Sequence, residues 1–164
     1  MMLRAERPGD AAAIEAVTVA AFADHPHSNQ TEHIIVARLR AENALTLSLV
    51  AEEGAGVVGH IAFSPVSIDD GTADWYGLGP VSVAPEAQGK GIGSALIREG
   101  LQRLAAAGAK GCVVMGDPEF YKKFGFRNEE DVVFPGCAPQ YFLALALSGP
   151  MACGNVRYHE AFDC

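Results

Sequence analysis

Gly79-Pro80-Val81-Ser82-Val83-Ala84-Pro85, followed after two residues by Gln88-Gly89-Lys90-Gly91-Ile92-Gly93-Ser94, decides the fold of this chain. Apolar residues alternate in the first stretch and Pro85 ends it, which predicts a β-strand. Residues 93–107 have the pattern of a helix that ends before Gly108. The glycines between the strand and the helix predict a turn whose backbone N–H groups, together with the positive end of the helix dipole, face an anion.

Three kinds of glycine-rich loop bind phosphate groups, and their spacings differ. The phosphate loop of NTPases needs G-x-x-x-x-G-K-[ST], and the residues after Lys90 do not follow that order. The dinucleotide pattern G-x-G-x-x-G fails because Gly93 comes only two residues after Gly91. The pattern [Q/R]-x-x-G-x-[G/A] after a V-x-V-x-P strand fits at every position from Gln88 onward. A plain connecting turn is the alternative for a motif this short.

A second motif lies about thirty residues further along the chain. Phe120-Tyr121-Lys122-Lys123-Phe124-Gly125-Phe126 resembles the Y-x-x-x-G-F segment near the end of GNAT N-acetyltransferase domains. Because both motifs occur in the right order and separation, the chain resembles the GNAT superfamily over roughly residues 2–147. The resemblance implies an α/β (mixed α+β) fold, with helices on both faces of a central twisted sheet. That mixed sheet would have about seven strands and be splayed at the cofactor site.

Size and composition are those of a single globular domain, at 164 residues and 49% hydrophobic content. We expect a GNAT domain over residues 1–147 and a tail, 148–164, that packs on it or extends it. A net charge of −8 argues against nucleic acid and anionic membranes as partners. No membrane span or signal-peptide core is visible, so we expect a cytoplasmic protein. The four cysteines lack metal-ligand spacing, so no metal is expected.

Alternation and helical periodicity predict the other elements, and turn residues separate them. Asp10 is the predicted N-cap of the first helix. The predicted strands are 3–6, 46–51, 57–67, 73–84, 111–115 and 140–147, and the predicted helices are 11–22, 30–42, 93–107 and 118–124.

The resemblance implies acetyl-CoA as the co-substrate. Its diphosphate would meet the N–H groups of residues 89–94, and its extended arm would pair with the backbone of Val81 and Val83. Gly79 and Pro80 support this arrangement because glycine favours a bulge and proline removes a ladder donor. An ordinary edge strand is the alternative. The predicted cofactor-binding residues are Val81, Val83, Gln88, Gly89, Lys90, Gly91, Ile92, Gly93 and Ser94.

Tyr121 is the candidate catalytic residue, because many GNAT enzymes have a tyrosine at this place in the motif that protonates the leaving thiolate. The alternative places its ring in the core and its hydroxyl at the surface. Many members carry a Glu or His base on the strand before the loop, but Gly77 and Gly79 occupy those positions here. The nearest substitutes in sequence, each more often structural than catalytic, are His60, Asp74 and Tyr76.

The sequence therefore predicts an acetyl-CoA-dependent N-acetyltransferase. It would act on a primary amine of a small molecule or peptide by direct attack in a ternary complex, and a homodimer is compatible with it. One alternative is an acyl-CoA-binding module that has lost catalysis, as the missing base would permit. Another is acyl transfer to a hydroxyl or thiol.

Overall fold

The structure is a computed structural model that describes residues 1–54 and 56–163. Ala55, in the turn predicted between the strands 46–51 and 57–67, and Cys164 lie outside these ranges. The described residues form eight strands and four α-helices, connected by turns and short 3-10 segments. In chain order they are β1 (Met2–Ala5), α1 (Ala11–Phe22), α2 (Glu32–Ala41), β2 (Leu47–Glu53), β3 (Gly56–Ile68), β4 (Trp75–Val83), α3 (Ile92–Ala106), β5 (Gly111–Met115), α4 (Pro118–Tyr121), β6 (Val132–Val133), β7 (Phe142–Ala146) and β8 (Gly154–Tyr158).

The strands form one mixed sheet in the order β1-β2-β3-β4-β5-β7. Neighbours are antiparallel except β4 and β5, which run parallel because α3 connects them across the sheet. β8 pairs with the end of β3 and with the short β6. The predicted mixed α/β fold is confirmed, with eight strands in place of about seven.

The pleat of β3 divides the side chains between two faces of the sheet. Ile61 and Phe63 point into the larger core, which contains the buried side of α3; we call this side the α3 face. His60, Ser64 and Val66 point to the opposite side, which we call the tail face because β8 covers part of it. Helix α1 also packs against the tail face, and Thr18 there receives a 3.3 Å hydrogen bond from Ser82.

Residues 148–163 do not continue β7. Their strand β8 pairs at Val66–Ile68, and Ala152 and Val156 enter the same apolar cluster as Trp75. Two aspartates of the turn after β3 hold this segment, because their carboxylates accept N–H bonds from Cys153 at 3.0 Å and Asn155 at 2.8 Å. The domain boundary at residue 147 stays a prediction.

Asp10 takes the N-cap position of α1 as predicted, but its side chain makes no capping hydrogen bond. The carboxylate accepts the N–H of Arg7 at 2.6 Å and pairs with Arg4 at 2.8 Å. The charged hydrogen bond from Arg4 lowers the pKa of Asp10 to about 2. The guanidinium therefore draws the carboxylate away from the orphan N–H groups of α1.

Candidate active site

β4 and β5 pair over only part of their length, which opens a gap between them that we call the fork. Their last pair is Gly77 with Val113, although β4 continues to Val83. The register between β4 and β3 shifts at Gly79 and Pro80, where Gly79 has a φ of 132°. A bulge at this point bends β4 away from its neighbour. The predicted interruption of pairing is therefore present.

The main chain of β4 faces the fork at two of the predicted positions. The Ala84 N–H donates to the Val58 carbonyl at 2.8 Å, and antiparallel strands bond at alternate residues. Val81 and Val83 therefore turn their N–H and C=O groups away from β3. Gln88 Nε2 approaches from that free side and donates to the Val83 carbonyl at 3.0 Å. This bond, which the sequence motif did not reveal, ties the loop to the end of the strand.

The loop after β4 places free backbone N–H groups beside the fork. Gly89 and Gly91 have φ values of 81° and 83°, and no atom lies within 4 Å of a Cβ at either position. Backbone conformation, not crowding, therefore demands glycine there. The Ala95 N–H makes the first helical bond of α3, to Gly91 at 3.0 Å. The three residues between them keep N–H groups without helical partners, and these groups can hold an anion.

Side chains of the loop differ in where they point. Lys90 is exposed, so its ammonium is available to an anion at the loop. Ile92 is only 3% exposed and packs against β3, where a Cβ at Gly59 would lie 3.0 Å from it. A Cβ at Gly93 would lie 3.7 Å from the Val83 side chain, so the start of α3 packs closely against β4. Ile92 can therefore offer a ligand its main chain only.

Tyr121 follows the end of β5, on the α3 face of the sheet. Its ring covers Gly116, where a Cβ would lie 2.5 Å from Cε2 of Tyr121. The same ring packs edge-to-face with Phe126, with 5.9 Å between the ring centroids. Burial, with a smaller contribution from Cys112, raises the pKa of Tyr121 to about 12. The hydroxyl therefore keeps its proton at neutral pH and can act as an acid.

Gly77, one of the two positions without a base, lies beneath a side chain from the tail. A Cβ at Gly77 would be 2.6 Å from Tyr158 Cε2, so the tyrosine ring fills the space above it. The pairing of Val66 with Tyr158 brings β8 to this place. No motif marks Tyr158, and only the long-range pairing reveals it.

The three residues that could replace a base at Gly77 or Gly79 lie in different parts of the structure. Asp74 is exposed before β4, and its carbonyl accepts the N–H of Lys110 at 2.8 Å. Tyr76 packs into the core on the α3 face. His60 is fully buried on the tail face, and its Nε2 lies 2.8 Å from Ser48 Oγ on β2, the strand away from the fork. None of the three side chains reaches into the fork from β4.

The bonds of Ser48 define the tautomer of His60. Ser48 donates its single proton to Glu6 at 2.7 Å, and Arg40, also bonded to Glu6, lowers the pKa of that carboxyl. His60 must therefore donate its Nε2–H to Ser48, which leaves Nδ1 with a lone pair. Burial lowers the pKa of His60 to about 4. The ring is therefore neutral at physiological pH.

No three His, Cys, Asp or Glu side chains in residues 1–54 and 56–163 converge on a position for a metal ion. The same ranges contain no helix with the length and hydropathy needed to cross a bilayer.

Comparisons with known proteins agree with this geometry. A family model described as an Acetyltransferase (GNAT) domain matches residues 45–128, which include β4, the glycine loop, α3 and Tyr121. The Escherichia coli (strain K12) protein named "Uncharacterized N-acetyltransferase YhbS" is 34% identical over 172 residues, and the match covers 99% of each chain.

Two solved structures are similar along nearly the whole chain. A GNAT family acetyltransferase from Brucella melitensis, in complex with acetyl-CoA, has 55% identity and a TM-score of 0.88, with 99% of this chain and 97% of that chain covered. YhbS from Escherichia coli, in complex with CoA, has 33% identity and a TM-score of 0.89, with 99% and 92% covered.

Proposed function

The chain belongs to the GNAT acetyltransferase family, and from this we propose that it acetylates a primary amine of a small molecule or peptide. It is an N-acetyltransferase with acetyl-CoA as its co-substrate. The reaction is a direct attack by the amine in a ternary complex. The observation that carries this proposal is the fork, where the main chain of Val81 and the N–H of Val83 face away from β3 and the strand continues into the glycine loop.

The residues at the fork match the parts of acetyl-CoA. N–H groups of residues 89–94 bind the diphosphate, since the start of α3 concentrates donors and a positive dipole there. Lys90 adds a positive charge at the same place. Val81 and Val83 bond the amides of the extended arm, as an added strand would. Gln88 holds the loop in position through the Val83 carbonyl.

Two groups of the chain support the chemical step. Acetyl-CoA supplies a thioester carbonyl and a thiol leaving group. The Val81 N–H, which faces the fork, donates a hydrogen bond to the carbonyl oxygen and stabilises the negative charge that develops there. Tyr121 Oη, which burial keeps protonated at neutral pH, gives its proton to the departing sulfur as the C–S bond breaks. The proton that the attacking nitrogen loses restores the hydroxyl.

The amine must reach the carbonyl without its proton. Gly77 and Gly79 offer no base, and alkylamines are almost fully protonated at neutral pH. Buried apolar and aromatic groups on the tail face disfavour a charged amine, so they favour entry of the neutral form. The chain therefore selects the small neutral fraction of its acceptor.

Release of free thiol from acetyl-CoA, measured with separate pools of amines, alcohols and thiols, tests the proposal. Turnover with amines alone supports it, and turnover confined to alcohols or thiols contradicts it. Tyr121→Phe should lower kcat by about 10²- to 10⁴-fold with an unchanged Kd for acetyl-CoA, as expected for a lost acid. Tyr141→Phe, at a half-exposed tyrosine, is the matched control and should keep normal turnover.

A further inference from the structure

Four buried side-chain atoms have no hydrogen-bond partner within residues 1–54 and 56–163, and all belong to residues on the tail face. Buried polar groups are normally paired, because an unmade bond costs the full desolvation of the group. One of the four is Nδ1 of His60, on the ring whose Nε2 bonds Ser48. The other three atoms are Ser64 Oγ, Trp75 Nε1 and Tyr158 Oη.

These three residues lie next to Gly77 on one face of the sheet, with the Trp75 indole over Gly111 of β5, and we call them the Gly77 cluster. Ser64 is the cross-strand partner of Gly77, Trp75 precedes it by two residues on β4, and the Tyr158 ring lies over it. Gly77 also forms the last pair between β4 and β5. The cluster therefore lies at the closed end of the fork, on the side of the sheet opposite α3.

The surroundings of Tyr158 are aromatic and keep its hydroxyl neutral. Phe134 and Phe162 meet its ring at centroid distances of 5.0 Å and 5.1 Å. Burial raises the pKa of Tyr158 far above its usual value, and charges at Cys112, Cys137 and Tyr121 would raise it further. The hydroxyl therefore keeps its proton at neutral pH. It is a hydrogen-bond donor and not a base.

The donors of the cluster define what it would bind. Trp75 can only donate, while Ser64 and Tyr158 can donate or accept. All three groups are neutral and buried, so a carboxylate in contact with them would be desolvated without a countercharge. A carbonyl oxygen accepts the same bonds without that cost. The cluster therefore suits an amide or peptide carbonyl better than an acid.

We propose that Tyr158 contacts the acceptor substrate, and that the Gly77 cluster binds a carbonyl oxygen next to the reacting amine. The acceptor is then an amino-acid amide or the N-terminus of a peptide. The inference rests on the proposed amine acetylation and adds the part of the acceptor that is recognised. It also gives the tail a role in the reaction.

Tyr158→Phe removes only the hydroxyl and keeps the ring over Gly77. Because that hydroxyl has no partner in the described structure, the melting temperature should stay unchanged or rise. A fall of several degrees would show that the hydroxyl has a structural partner and would overturn the proposal. Tyr141→Phe is again the matched control.

Alaninamide, isopropylamine and alanine are probes that differ in one group. Their binding to the CoA complex is measured by thermal shift. Wild type should bind alaninamide best, and Tyr158→Phe should weaken alaninamide binding roughly tenfold while leaving isopropylamine unchanged. Equal losses for both probes, no loss, or no alaninamide binding by wild type would each overturn the proposal.

Turnover with the same probes distinguishes a failure of the proposed role of Tyr158 from a failure of the proposed amine acetylation. For each of alaninamide and isopropylamine, the kcat/KM of wild type is divided by the kcat/KM of Tyr158→Phe. The basicity of the amine affects both values equally, so it cancels from this ratio. A ratio near one for both probes contradicts the role of Tyr158. Selective alaninamide binding without acetylation of any amine contradicts the proposed function, and the carbonyl site stands.

Discussion

Acidification from about pH 7 to about pH 5 should destabilise the protein by about 2 kcal/mol through His60 alone. Its pKa is about 4 in the folded protein, against about 6.5 in an unfolded chain. The unfolded state therefore takes up the proton first as the pH falls. The stability that the neutral ring contributes is complete above about pH 6.5 and is lost progressively down to about pH 4. Urea unfolding at several pH values measures this slope.

Carboxylates titrate in a lower window and do not interfere. Glu6, Asp10 and Asp70 have lowered pKa values, so the stability they contribute is lost only as the pH falls below their unfolded values near 4. His60→Gln should flatten the slope between about pH 7 and pH 5, whereas His27→Gln, at an exposed ring, should leave it unchanged. A ring of His60 that titrates near 6.5 by NMR in the folded protein would refute the reasoning.

Three further predictions concern the loop, the thiols and the acceptor. Gly91→Val should weaken acetyl-CoA binding at least tenfold in calorimetry, while Gly108→Val, with similar backbone strain at the other end of α3, should cost stability but not affinity. Cys153 is exposed and should be alkylated much faster than Cys112, whose pKa burial raises; equal rates by mass spectrometry would contradict the buried position. Among acceptors of similar shape, kcat/KM at neutral pH should rise as the amine becomes less basic, and a flat dependence would indicate an enzymic base.

Local signals explain why the glycine loop and its flanking elements could be predicted from the sequence. The alternation in β4, the proline that ends it and the glycines of the loop each act within a few residues. Helix α3 accordingly begins only one residue before the predicted start, and β5 has the predicted bounds. The predicted cofactor-binding residues remain proposals, but the backbone conformation they require is present.

Non-local pairing explains what the sequence did not reveal. Strand β8 has little alternation of its own, and it is held by Asp69 and Asp70, more than eighty residues earlier in the chain. In sequence these aspartates predicted only a turn. The capping bond expected from the Asp10 side chain is absent for a similar reason, because Arg4 on β1 competes for the carboxylate.

Gly77 connects these two kinds of information. In sequence it is a residue without a side chain on the strand that leads into the glycine loop. In the structure the space above it is occupied, because the ring of Tyr158 lies where a Cβ would be. A larger residue at 77 and an aromatic residue at 158 cannot both be accommodated. The absent side chain at Gly77 and the tail strand are therefore parts of one arrangement, in which an aromatic ring from β8 occupies the space that a side chain on β4 would take.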